Sequence, residues 1–98
     1  MEVVKTNNNG ELNVKVSGRL DTSTAPQLEA ELGDLSSVSK LVFDFKDLEY
    51  VSSAGLRVLL ASQKAMNGHG EMALSGVNAS IMEVFEITGF ADIFTVLK

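Results

Sequence analysis

Asp44-Phe45-Lys46-Asp47-Leu48-Glu49-Tyr50-Val51-Ser52-Ser53-Ala54-Gly55-Leu56-Arg57-Val58-Leu59-Leu60 is the stretch that decides the fold. It is entered from Leu41-Val42-Phe43, so Leu41 to Phe45 is a short apolar run of strand length. From Leu56 to Met66 the apolar residues recur at helical spacing, which predicts a helix. Two serines stand between them, where the helix must begin. A serine there ordinarily caps the helix by accepting a hydrogen bond from a first-turn amide. A loop that leaves a strand and enters a helix lies at the strand's C-terminal end, where parallel sheets usually carry function.

Working outward, Glu2 to Thr6 reads as a short strand, and Asn7-Asn8-Asn9-Gly10 as the turn of a hairpin. Glu11 to Val16 alternates, with Leu12, Val14 and Val16 on one face and Glu11, Asn13 and Lys15 on the other. Gly18-Arg19-Leu20-Asp21 is expected to end that strand. Thr24-Ala25-Pro26-Gln27 has the form of a capping box, and Leu28, Leu32 and Leu35 form a core stripe behind it. Lys40 to Phe45 is apolar on both faces until Asp44, as in a central strand covered on both sides. Asn67-Gly68-His69-Gly70 stops the helix that follows Ser53, and Met72-Ala73-Leu74 supplies the next buried strand. Asn78 is placed to cap a third helix carrying Ile81, Val84 and Phe85. Gly89 is expected to close it in the left-handed conformation, with Phe90 packing back. Phe94 to Leu97 forms a last extended piece. The expected order is β-β-α-β-α-β-α-β, an α/β fold with a mixed sheet of about four to five strands and helices packed against it. Residues 1–98 form one domain.

Composition bounds the chemistry. Eight Lys and Arg are scattered among 98 residues of net charge −5, without the basic patch that a nucleic-acid surface needs. One histidine and no cysteine argue against a transition-metal site, and no cofactor is expected. No charged-then-apolar leader opens the chain, and no apolar run approaches a membrane span, so a cytoplasmic protein without membrane insertion is the expectation.

Several segments together resemble the STAS domain, a family named for sulphate transporters and anti-sigma factor antagonists. Gly18-Arg19-Leu20-Asp21 with Thr22-Ser23-Thr24 is similar to the segment before the family's first helix. Leu41 to Phe45 resembles its strand with an embedded Asp, and Tyr50-Val51-Ser52-Ser53-Ala54-Gly55-Leu56 its signature loop. Gly70-Glu71-Met72 and Ile87-Thr88-Gly89-Phe90 match later elements, so the likeness runs through nearly the whole chain. Ser52 stands where many members carry Asp, and Ser53-Ala54-Gly55 replaces the commoner Ser-Ser-Gly. The chain ends at Lys98, where many relatives continue into a last helix. A short edge strand leaves pairing into a homodimer open.

The resemblance implies an anti-sigma factor antagonist, not an enzyme. Such a domain binds an anti-sigma factor that is also a serine kinase. It is released when phosphorylated, and a serine phosphatase resets it. By the family register Ser53 is the phosphoacceptor. From the residues alone, Ser52 is either the helix cap or the modified group. A helical wheel from Ser53 puts Arg57, Leu60 and Lys64 nearly in line, either as a partner-binding stripe or as a covered leucine between solvated cations. With Asp21, Ser52, Ala54 and Gly55 these residues make up the expected partner surface. Asp21 is either a partner contact or an Asx turn. Asp44 is expected to bond loop backbone, Tyr50 to support the loop half-buried, and His69 to be solvated. Hydrolase chemistry is not supported: Ser53 has a glycine at only one of the two flanking positions of a nucleophile elbow, and the sole possible base, His69, lies beyond the helix. Alternatives within the family are an accessory subunit of a membrane transport complex, or a small-ligand or nucleotide sensor.

Overall fold

The strand β2 (Glu11–Leu20) is the longest in the computed structural model, which describes residues 1–97, and it pairs with three others. Its alternation buries Leu12, Val14 and Val16 and leaves Lys15 exposed. The hairpin closes at Asn9 and Gly10, both at positive φ, and sets β1 (Glu2–Asn8) antiparallel to β2. On the other side β3 (Lys40–Asp44) runs parallel to β2, after the chain has crossed over through α1 (Ala25–Leu32). Beyond Asp44 the chain stays beside β2. A second short strand, β4 (Leu48–Val51), pairs with Gly18, Arg19 and Leu20, again in parallel.

From β4 the chain enters α2 (Ser53–Met66) and returns as β5 (Glu71–Ser75), parallel to β3. It leaves again through α3 (Ala79–Thr88) and a 3-10 turn at Phe90–Asp92, then adds β6 (Thr95–Val96) at the far edge. The sheet order is β1-β2-β3-β5-β6, with β4 continuing the line of β3 along β2. Every pairing except β1 with β2 is parallel.

Leu41, Phe43 and Phe45 are fully buried, and Val42 on the opposite face of β3 is half-buried. The core continues through Leu20, Leu28, Leu59, Leu74 and Phe85. Phe94 packs edge-on to both Phe85 and Phe90, with centroids 5.4 and 5.6 Å away. Phe90 thus folds back across the end of α3, as the sequence led one to expect, and Gly89 closes that helix at φ 83°. Asn78 caps it, its Oδ1 accepting from Ile81 N at 2.9 Å. No helix among the described residues is long and apolar enough to cross a membrane.

Three expectations need correction. The strand from Glu11 does not end at Gly18; it runs on to Leu20 because β4 gives its last residues a partner. β4 has no signal in the sequence pattern, and it brings the sheet to six strands, beyond the four to five expected. Glu49 has no partner in the β2–β4 register, which places a bulge between Leu48 and Tyr50 and breaks the alternation that would have revealed a strand. The capping box at Thr24 does not form. Thr24 makes no side-chain cap to α1; its hydroxyl accepts from Asp21 N at 2.8 Å and donates to the Arg19 carbonyl at 2.8 Å.

Candidate functional site

The pairing of β2 with β4 fixes where α2 begins. Leu20 opposes Val51, and Ser52 N donates to the Leu20 carbonyl at 2.8 Å. Asp21 and Ser52 therefore leave the sheet side by side at its C-terminal end. Ser52 is extended, and its Oγ accepts from Gly55 N at 3.3 Å, so Ser52 is the N-cap of α2. Ser53 is the first helical residue and is exposed. The two serines thus divide: one hydroxyl is engaged in the cap, and the other side chain stands in solvent beside first-turn amides that no helix satisfies internally.

Gly55 faces the other way. It is buried, and a methyl group on it would lie 2.7 Å from Leu20 Cγ and 3.0 Å from Val51 Cγ2. It seats the helix on the sheet and is withdrawn from the surface on which the sequence placed it.

Asp21 forms the Asx turn. Its Oδ1 accepts from Ser23 Oγ at 2.8 Å, Ser23 N at 3.0 Å and Thr24 N at 3.2 Å. These bonds, the Ser23 hydroxyl first among them, hold its carboxyl below the ordinary value. Its Oδ2 faces Arg19 Nε at 3.9 Å, and the Arg19 guanidinium lies 4.3 Å over the Tyr50 ring. Tyr50 is thus 41% exposed under a cation, rather than a half-buried support. Arg19 and Tyr50 are partners in the β2–β4 ladder, a pairing invisible until β4 is known.

The connection from β3 to β4, which leads into the strand ahead of Ser52, is braced from behind. Asp44 Oδ1 accepts from Lys46 N at 3.0 Å, the loop role the sequence gave it. Phe45 N donates to the Ser75 carbonyl at 2.8 Å, and Asn78 Nδ2 donates to the Leu48 carbonyl at 3.0 Å. Gly76, at φ 69°, comes so near that a methyl group on it would lie 2.7 Å from Lys46 N.

Along α2, Arg57 and Lys64 are exposed and Leu60 is half-buried. All three line an open groove of about 520 Å³ between α1 and α2, with Ala54 on the same wall and Thr22, Pro26 and Glu29 across from them. The in-line stripe read from the sequence is therefore one wall of a groove. The α1 wall had no sequence signal, because nothing in the pattern said which helix packs beside which. His69 is exposed in its turn, with Nε2 3.1 Å from the Leu35 carbonyl, far along the chain from the serines. Among the described residues no cluster of His, Cys, Asp and Glu is arranged to hold a metal ion.

Comparison with known proteins bears on this geometry. The STAS domain pattern matches residues 1–98. BtrV of Bordetella bronchiseptica, a candidate anti-sigma factor antagonist, is 42% identical over 86 residues, covering 83% of this chain and 72% of that protein. The anti-sigma-B factor antagonist of Staphylococcus aureus is 34% identical, covering 85% of this chain and 80% of that one. Among solved structures, the anti-sigma factor antagonist SpoIIAA in its unphosphorylated form aligns with a TM-score of 0.78 at 15% identity, covering 99% of this chain and 88% of that one. The phosphorylated form of the Bacillus protein gives 0.77 at 16% identity, covering 99% and 92%. Six strands around a serine-capped second helix, matched by pattern over the full sequence and by curated relatives over most of it, make this chain a member of the STAS domain family.

Proposed function

We propose that this protein is an anti-sigma factor antagonist switched by phosphorylation of Ser53. Unphosphorylated, it sequesters an anti-sigma factor that is also a serine kinase, and so frees a sigma factor for transcription. A serine phosphatase restores the binding form, and the cycle runs in the cytoplasm. The observation that carries the reading is the division of labour at the head of α2: Ser52 closes the helix, and Ser53 is exposed beside it.

A phosphate on Ser53 adds about −1.5 to −2 charges at neutral pH. It would meet the positive end of the helix dipole and the free first-turn amides, so the fold tolerates it. The similar degree to which this chain aligns with both forms of SpoIIAA fits a phosphate that changes a surface and leaves the fold alone. At an interface the same charge opposes binding, and about 3 kcal/mol corresponds to roughly a hundredfold in affinity. The switch therefore needs no refolding.

The test is incubation with ATP and a kinase-type anti-sigma factor from the same organism, followed by peptide mass spectrometry. Phosphate is expected on Ser53 and not on Ser52. Ser53→Ala should bind and resist modification, and Ser53→Asp should bind more weakly. Modification on Ser52, or binding indifferent to both substitutions with no phosphate taken up, would overturn the assignment.

A further inference from the structure

We infer that the groove between α1 and α2 docks an amphipathic helix of the protein partner, apolar along its buried stripe and acidic on the flank that meets α2. The inference rests on the reading that the head of α2 faces that partner, and it names the chemistry the partner brings. Ala25 and Pro26 on α1 and Ala54, Val58, Leu60 and Ala61 on α2 give the groove an apolar lining. Small side chains make up much of it, so a helix can approach closely.

Charge selects the occupant. Among the described residues Lys5, Lys15 and Arg19 each lie within ion-pair distance of a carboxylate, whereas Lys40, Lys46, Arg57 and Lys64 do not, and of these four only Arg57 and Lys64 line the groove. They stand on one wall seven positions apart, about 10.5 Å at 1.5 Å per residue, with Leu60 between them. A helix lying alongside presents residues seven apart at the same spacing. Two carboxylates so placed meet both cations, with leucines between them against Leu60. Glu29 on the opposite wall repels an acidic residue there, which fixes which flank faces which helix. The whole chain carries −5, so an acidic helix is drawn to this row and not to the surface at large. Ser53 lies one turn before Arg57 on the same line, so a phosphate there adds negative charge at the head of the cation row.

The probes are two lactam-bridged helical peptides, alike except that one carries Glu and the other Lys at two positions seven apart, with leucines midway. Each is titrated into the isotope-labelled full chain and followed by amide NMR. The Glu peptide is expected to shift the amides of Ala25, Ala54, Leu60 and Ala61 and to bind about fivefold more tightly than the Lys peptide. The double variant Arg57→Glu/Lys64→Glu should reverse that preference. Shifts lying elsewhere, no shifts at millimolar peptide, or a preference unchanged in the double variant would each overturn the inference. None of these results bears on whether Ser53 takes phosphate, and a failure of Ser53 to take it would leave the peptide result standing.

Discussion

A single hydrogen atom on Gly55 is what allows α2 to lie against the sheet. Alanine there gains helix propensity, worth up to about 1 kcal/mol. Against that, its methyl group must displace Leu20 and Val51, and overpacking costs about 1–3 kcal/mol. Gly55→Ala is expected to lower the unfolding free energy read from urea titration by a net of about 1 kcal/mol, and to tilt the head of α2 enough to move the Ser53 amide resonance. Asp21 allows a second test at this scale. The Ser23 hydroxyl and the turn amides depress its folded pKa, so the folded chain holds that proton less tightly than the unfolded one. Stability from this group is fully present above its ordinary unfolded value and drains away as pH falls through the lower folded value. An Asp21→Asn variant should show a flatter loss of stability over that acid range in urea titrations at stepped pH. The division between Ser52 and Ser53 could be read from the sequence only as an alternative. Either serine suits a cap, and the choice depends on where β4 ends, a matter of backbone register and not of residue type.

The helix caps give predictions at the scale of elements. Ser52→Ala removes one cap and should cost about 1 kcal/mol. Asn78 does two jobs, capping α3 through Oδ1 and holding the Leu48 carbonyl through Nδ2. Asn78→Ser keeps the first and loses the second, for about 1 kcal/mol; Asn78→Ala loses both, for about 2 kcal/mol. Denaturant titration of the three proteins should give that order. Most elements were legible because their periods were clean: Leu12-Val14-Val16 for β2, Leu28 and Leu32 for α1, and Asn78 with Gly89 for the ends of α3. β4 was hidden because its buried residues, Leu48 and Val51, are three apart, and a bulge had displaced the strand period. The Thr24 capping box was a false signal. The Asx turn at Asp21 had a prior use for the Thr24 hydroxyl, and a local pattern cannot register that competition.

Across the whole molecule, the sheet order could be anticipated in outline, since strand-helix-strand units impose parallel neighbours after an opening hairpin. Which helices lie side by side could not, so the α1–α2 groove had to be seen. The phosphorylated chain is expected to keep this architecture. Its hydrogen-exchange protection in β2, β3 and β5 should match that of the unmodified chain, with differences confined to the first turn of α2 and the groove. Loss of protection in β5 would show instead that the modification loosens the core. The brace on the connection from β3 to β4 has a further consequence, for time rather than energy. Gly76 lies against Lys46, Ser75 holds Phe45, and Asn78 holds Leu48, so β4 is seated from its start, and Ser52 at its end is tied to Leu20 and Gly55 before any partner arrives. A partner need not wait for it to order. Association should then be a single exponential whose rate climbs linearly with partner concentration, without the plateau that marks a slow rearrangement, and stopped-flow mixing would read it directly.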